Sequence, residues 1–174
     1  KAVPSSKSSK VLFNKSHQPK SKAQASSSAS VKNKETKIEE IELEIDFKKG
    51  MDRNGLNRKI LGINKSAEKG KLISQKPHGV SASERNRLTQ KYRRDIEKKI
   101  DKLYKNPSDK DKVLDKLRKR DIDHKIDLQI GGKNTRDNLR TLDSYTNQEV
   151  GRQISRQIPK GKNIKIKNIN VREE

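Results

Sequence analysis

His124, Asn138 and Asn147 lie along residues 121–158, DIDHKIDLQIGGKNTRDNLRTLDSYTNQEVGRQISRQI, in the order and spacing that a small metal-dependent nuclease site needs. Those residue types suit hydrolysis of a phosphodiester bond. A free imidazole titrates near neutral pH, so it can accept a proton from water held in line with a phosphorus. Amide and carboxylate oxygens can hold a hard divalent ion that keeps further positions for water and phosphate.

The elements that must position these residues follow from the apolar spacing. Ile122, Ile126, Leu128 and Ile130 alternate with Asp123, Lys125, Asp127 and Gln129, the period-2 signature of a half-buried strand that Gly131-Gly132 ends. Lys133 to Asp137 is a loop by composition, and Leu139 to Leu142, bounded by Asp143, reads as a returning strand. From Ser144, the expected N-cap, the period becomes helical: Asn147, Val150/Gly151, Ile154 and Ile158 share one face, with Gln148, Arg152 and Arg156 on the other. The expectation is a wide-looped hairpin with a helix holding Asn147 over it. Asp127 and Asp143 are read as hydrogen-bonding partners of loop backbone or a nearby arginine.

The wording DHKIDLQIGGKN, then NLRTLD, then NQEVGRQI resembles the HNH family, the ββα-metal nucleases. The resemblance implies that His124 is the general base, that Asn138 pins the loop, and that Asp123 and Asn147 are metal ligands. The last letter of the family name denotes histidine, and this chain has Asn147 there. That oxygen-rich set implies Mg²⁺ or Mn²⁺ before Zn²⁺ or Ni²⁺. Neighbouring side chains of an unbroken strand point to opposite faces, so Asp123 and His124 reach one ion only where the strand ends, twists or bulges.

Composition points to the same substrate class. There are 44 Lys+Arg against 23 Asp+Glu, a net charge of +21, so attraction to a polyanion is expected and nucleic acid is the obvious partner. Lys133, Arg136 and Arg140 on the hairpin, with Arg152 and Arg156 on the helix, are the candidate phosphate contacts. Only 3% of residues are aromatic, so recognition is expected to rest on backbone charge with little sequence preference.

A hydrophobic fraction of 27% cannot fill a core over all 174 residues. Residues 1–34, rich in Ser and Lys, are expected to be a disordered linker. Residues 35–80 form an N-terminal extension, with a possible strand at 38–47 whose Ile41, Leu43, Ile45 and Phe47 alternate with Glu40, Glu42, Glu44 and Asp46, a helix being the alternative. A short helix is expected around 57–63, and His78 reads as a loop residue. Residues 81–174 are expected to be the nuclease domain. In it, Ser81 or Ser83 caps a helix of about 83–105 with the stripe Leu88, Tyr92, Ile96, Ile100 and Leu103, and Ser108 caps a second of about 109–119. Ile164, Ile166 and Ile169 hint at a last strand. The expected class is therefore α+β: a ββα-metal finger braced by helices, which it needs because an isolated ββα unit is too small to be stable.

The same wording looks most like the C-terminal toxin domains of bacterial polymorphic toxins and bacteriocin-like effectors. That resemblance implies DNA as target, delivery of a secreted effector into a target cell's cytoplasm, and an acidic cognate immunity protein as partner. The missing initial Met agrees with a fragment of something larger, and no membrane-length apolar run or signal-like segment is present. With zero cysteines there are no disulfides and no thiolate metal sites. Two alternatives stay open: a housekeeping, phage or intron-type HNH nuclease, and a non-catalytic basic nucleic-acid-binding protein.

Overall fold

The structure, a computed structural model, describes residues 38–74 and 76–173, so the expected linker at 1–34 lies outside the described residues. The class is α+β. In chain order come β1 (Glu40–Phe47), α1 (Arg53–Glu68), α2 (Ala82–Leu103), α3 (Pro107–Arg118), β2 (Arg120–His124), 3-10 turns at Leu128–Ile130 and Arg136–Asn138, β3 (Leu139–Asp143), α4 (Ser144–Gln157) and β4 (Lys165–Glu173).

Two small sheets organise these elements. β1 pairs in parallel with β4, and β2 pairs antiparallel with β3, with His124 opposite Leu139 and Arg120 opposite Asp143. The expected extension thus shares a sheet with β4, and the described residues belong to one compact unit. The alternation read at 38–47 decides the packing. Leu43 and Ile45 are buried with Ile166 and Ile169, and they meet Leu56, Ile60 and Ile63 of α1 and Val150, Ile154 and Ile158 of α4. The acidic parity of β1 faces basic residues of β4: Glu40 pairs with Lys165 at 2.6 Å, and Arg172 reaches Glu44 at 2.9 Å and Asp46 at 2.7 Å.

A two-stranded sheet has two edges whose backbone groups still need partners. Side-chain amides fill part of both, because each amide offers one donor and one acceptor as a peptide does. On β1, Glu44 N–H donates to Gln157 Oε1 at 2.9 Å while Gln157 Nε2 donates to Glu44 O at 2.7 Å, and Gln153 does the same for Asp46 at 2.7 and 3.1 Å. On β4, Ile169 N–H donates to Asn64 Oδ1 at 2.8 Å and Asn64 Nδ2 donates to Ile169 O at 3.0 Å.

Several boundaries differ from expectation for local reasons. The first hairpin strand ends at His124 instead of Ile130, because the Asn138 side chain, not a ladder partner, takes both backbone groups of Ile126. Leu128 and Ile130 still bury their side chains, from a 3-10 turn. α1 is longer than read at 57–63, since Asp52 caps it by accepting from Gly55 N–H at 3.0 Å. Asp143, not Ser144, caps α4, and Asn106, not Ser108, caps α3 with Pro107 in its first turn. Ser81 caps α2 through a reciprocal box with Glu84. Of the α2 stripe only Ile100 is buried, and Leu103 is 76% exposed. Among the described residues no helix is long and apolar enough to cross a membrane.

Two predictions follow the packing and the cap. Ile154→Ala is expected to cost about 2–5 kcal/mol in a denaturant titration, as a fully buried core truncation does. Hydrogen bonds from the Ser81 hydroxyl and then its backbone N–H hold the Glu84 carboxyl below its ordinary range. Stability from this cap is therefore present above the ordinary glutamate range and lost as pH falls through the lowered value. Glu84→Gln should remove that acid-side loss of helix signal in circular dichroism.

Candidate active site

The site begins at the end of β2, where the chain leaves the ladder. Lys125 N–H donates to Asn138 O at 2.6 Å, and Asn138 Nδ2 donates to both Ile126 O and Lys133 O at 2.9 Å. With Asn138 Oδ1 accepting from Ile126 N–H at 2.9 Å, one side chain ties the two ends of the loop. Gly131 has φ +92°, a left-handed conformation that L side chains rarely adopt, and a Cβ on Gly132 would lie 1.9 Å from Ile126 O. The loop is thus folded tightly against the backbone just beyond His124.

The His124 side chain is buried, and its Nε2 lies 3.0 Å from Asn134 Oδ1 in that loop. With the amide oxygen as acceptor, Nε2 carries the proton and Nδ1 keeps the lone pair. His124 lines two clefts, of about 390 and 550 Å³. Both are also lined by Arg85 of α2, by Asp127 and by Asn147 of α4, so these four residues stand at the junction of the clefts. Asn147 is placed by Asp121: its Nδ2 donates to Asp121 Oδ2 at 3.0 Å, and Ser144 Oγ donates to Asp121 Oδ1 at 2.8 Å. Arg93 of α2 donates to Leu117 O and Arg120 O, at 3.1 and 2.5 Å, tying the helix to the start of β2.

Asp123 lines the first cleft beside His124 and is held from α1. Its side chain is 4% exposed, and both its oxygens accept from Lys59 Nζ at 2.8 Å. Lys59, on α1, is fully buried and also donates to His124 O at 3.1 Å. Its Nζ lies 3.0 Å from Asp127 Oδ2. That is a charge contact without hydrogen-bond alignment, because this buried oxygen receives no hydrogen bond. Arg140 Nε stands 3.4 Å from Asp123 Oδ2, and its Nη2 is buried without a partner. Burial pushes the Asp123 carboxyl above its usual range; Lys59 pulls it down, the Asp127 charge pushes it up, and Arg140 pulls it down. Two cations and two carboxylates form this cluster.

The donors can be tested against the divalent ion that the resemblance implies. Lys59 donates to both oxygens of Asp123, so this carboxylate would bind an ion only by giving up that pair. Asp121, Asp127 and Asn147 line the same cleft and are oxygen donors of the hard kind Mg²⁺ takes, with both Asp121 oxygens accepting from Asn147 and Ser144 and Asp127 Oδ2 facing Lys59. Among the described residues no three His, Cys, Asp or Glu side chains converge as a metal cluster, so an ion here would lean on the Asn147 amide.

The five cations expected to contact phosphate are dispersed. Lys133 is exposed on the loop and Arg156 on α4. Arg152 lines the second cleft and pairs with Glu149. Arg136 is turned to Asp95 and stands 5.1 Å over the Tyr92 ring, away from both clefts, and Arg140 faces the Asp123 cluster. Sequence reasoning missed Arg85, Arg93, Asn134, Asp121 and Lys59. His78, read as a loop residue, lines the second cleft from a loop. One signal was available for Lys59: it shares the helical spacing of Leu56, Ile60 and Ile63, and a lysine on an apolar face must find a carboxylate.

Comparison with known proteins found no matching family model, no matching curated protein and no matching solved structure.

Lys59→Met should lower stability by about 3–5 kcal/mol in a urea titration, because it leaves Asp123 buried without its main partner. Lys59→Met with Asp123→Leu should recover more than half of that loss, whereas an unchanged single variant would mean that the pair is not formed.

Proposed function

We propose that this chain is a metal-dependent endonuclease of the HNH type that hydrolyses DNA phosphodiester bonds with little sequence preference. The observation that carries the reading is the junction of His124, Asn147, Asp127 and Arg85 between two clefts, beside a loop stapled by Asn138. In this reading the His124 Nδ1 lone pair accepts the proton of the attacking water, while Asn134 holds Nε2–H and sets the ring. Arg85 and Arg152, which line the second cleft from α2 and α4, would contact phosphate, with the exposed Lys133 and Arg156 adding positive charge. Asn147, with Asp121 and Asp127, would hold a divalent ion, Mg²⁺ before Mn²⁺, Zn²⁺ or Ni²⁺, which when bound stabilises charge on the phosphate and leaving oxygen. Asp123 acts from behind, as the counter-charge of Lys59.

The sequence resemblance and the net charge of +21 further support the role of a toxic effector domain, delivered into a target cell and neutralised by an acidic immunity protein. One observation favours a second reading, a basic nucleic-acid-binding protein without hydrolysis: the Lys59 salt bridge on Asp123, where the family resemblance places a metal ligand.

The two readings separate on supercoiled plasmid with Mg²⁺, with Mn²⁺ and with EDTA. The expected result is metal-dependent cutting that His124→Ala lowers by about 10²–10⁴-fold, with DNA binding near that of the unaltered protein. Cutting by His124→Ala at the unaltered rate would overturn the assignment of the base. Intact plasmid and intact RNA with every metal would leave the binding reading.

A further inference from the structure

Against the β2–β3 hairpin, α2 and α3 line a further cleft of about 780 Å³ that the catalytic reading does not use. Its walls are apolar and aromatic, with Ile96 and Ile100 from α2, Val113 and Leu117 from α3, and Tyr92 and Tyr104 at its sides. Five cations line it, Arg58, Lys99, Lys116, Arg120 and Arg140, and no carboxylate does. Arg120 reaches Asp52 only at 3.6 Å, and among the described residues Arg58, Lys99 and Lys116 have no ion-pair partner. Arg140 adds a buried Nη2 with no hydrogen-bond acceptor. Leu103, at the rim, is 76% exposed although it continues the stripe of Ile96 and Ile100.

A cleft of this size suits a small organic ligand, which usually takes about 300–1,000 Å³. The apolar wall requires a flat hydrophobic body, and the tyrosines offer it ring surfaces on which to stack. The cations exceed what one carboxylate head needs and match the several oxygens of a phosphate, which guanidinium groups bind in pairs. We infer that the α2–α3 cleft binds a nucleotide, its base against Ile96, Ile100 and the tyrosines and its phosphate on the cationic rim. The nucleotide is either free or part of a polynucleotide strand, and the chemistry is the same for both. Phosphate on Arg140 would meet the guanidinium that also touches Asp123, so this cleft and the His124 strand share one side chain. The inference does not depend on hydrolysis.

The chain has no tryptophan, so one introduced at the rim by Leu103→Trp reports on the cleft alone. The full chain carrying this change and His124→Ala is titrated with AMP, with dTMP and with a short deoxythymidine oligonucleotide. Lys99→Glu with Lys116→Glu removes rim charge at exposed positions, and Lys65→Glu with Lys69→Glu, exposed on and beside the end of α1, matches that charge change elsewhere. Saturable quenching by a mononucleotide, weakened about tenfold or more by the rim pair and about twofold or less by the control pair, supports a free-nucleotide site. The same pattern with the oligonucleotide alone supports the nucleotide of a strand. No saturable quenching by any probe, or equal weakening by both charge pairs, overturns the inference, and neither result bears on plasmid cutting. Circular dichroism of each variant confirms that it folds, and titration by intrinsic tyrosine fluorescence without Leu103→Trp checks that the reporter itself does not create the site.

Discussion

A fully buried ammonium holds the centre of this structure. Lys59 Nζ is withdrawn from water on α1, and the groups that replace water are the two oxygens of Asp123, the carbonyl of His124 and the charge of Asp127. An unpaired buried charge is costly enough that α1 and the end of β2 must stay together. That single requirement places the hairpin on the α1 side of the core and fixes the backbone of His124. Its energetic worth relative to an apolar pair is small, but its geometric demand is strict, since few arrangements satisfy a lysine away from solvent.

A second device recurs through the fold. Asn64, Gln153, Gln157 and Asn138 each offer a side-chain amide to a backbone N–H, a backbone C=O or both. Where a larger protein would add a strand, this one adds a glutamine or an asparagine from a neighbouring helix or loop. The consequence differs by place. On β1 and β4 it covers edges that would otherwise invite pairing with another chain. At Asn138 it stops a strand, so that the chain turns directly after His124 and brings Asn134 to the imidazole.

Charge is sorted by depth and by sheet. The acidic parity of β1 is matched by basic residues of β4, and the acids near the hairpin are matched by Lys59 and Arg140. Part of the negative charge is therefore neutralised inside the molecule or across one sheet. The α2–α3 cleft is left with cations, the Arg58, Lys99 and Lys116 rim, whereas beside His124 the cations Arg85, Arg93 and Arg152 stand with Asp121, Asp123 and Asp127. The cationic α2–α3 cleft carries a field that favours phosphate.

Periodicity alone determined where most elements lie. The alternation at 38–47, the hairpin return at Leu139, the helical spacing after Ser144 and the long stripe of α2 are local patterns, and local patterns survive without knowledge of partners. The order of His124, Asn138 and Asn147 was legible along the sequence, whereas the loop-tying role of Asn138 came from the family resemblance and suits a short amide side chain that bonds nearby backbone. Alternation could not show where β2 stops, because Leu128 and Ile130 bury equally well from a 3-10 turn. It could not show that α2 leaves Leu103 in water, because a stripe says which face is apolar and not whether anything covers it. Above all, only the tertiary structure shows what Asp123 meets, because the partner of a buried carboxylate depends on what the fold brings from a distant part of the chain. Here it brings Lys59, from a helix far back in sequence, because burying that charge required a partner that local spacing does not reveal.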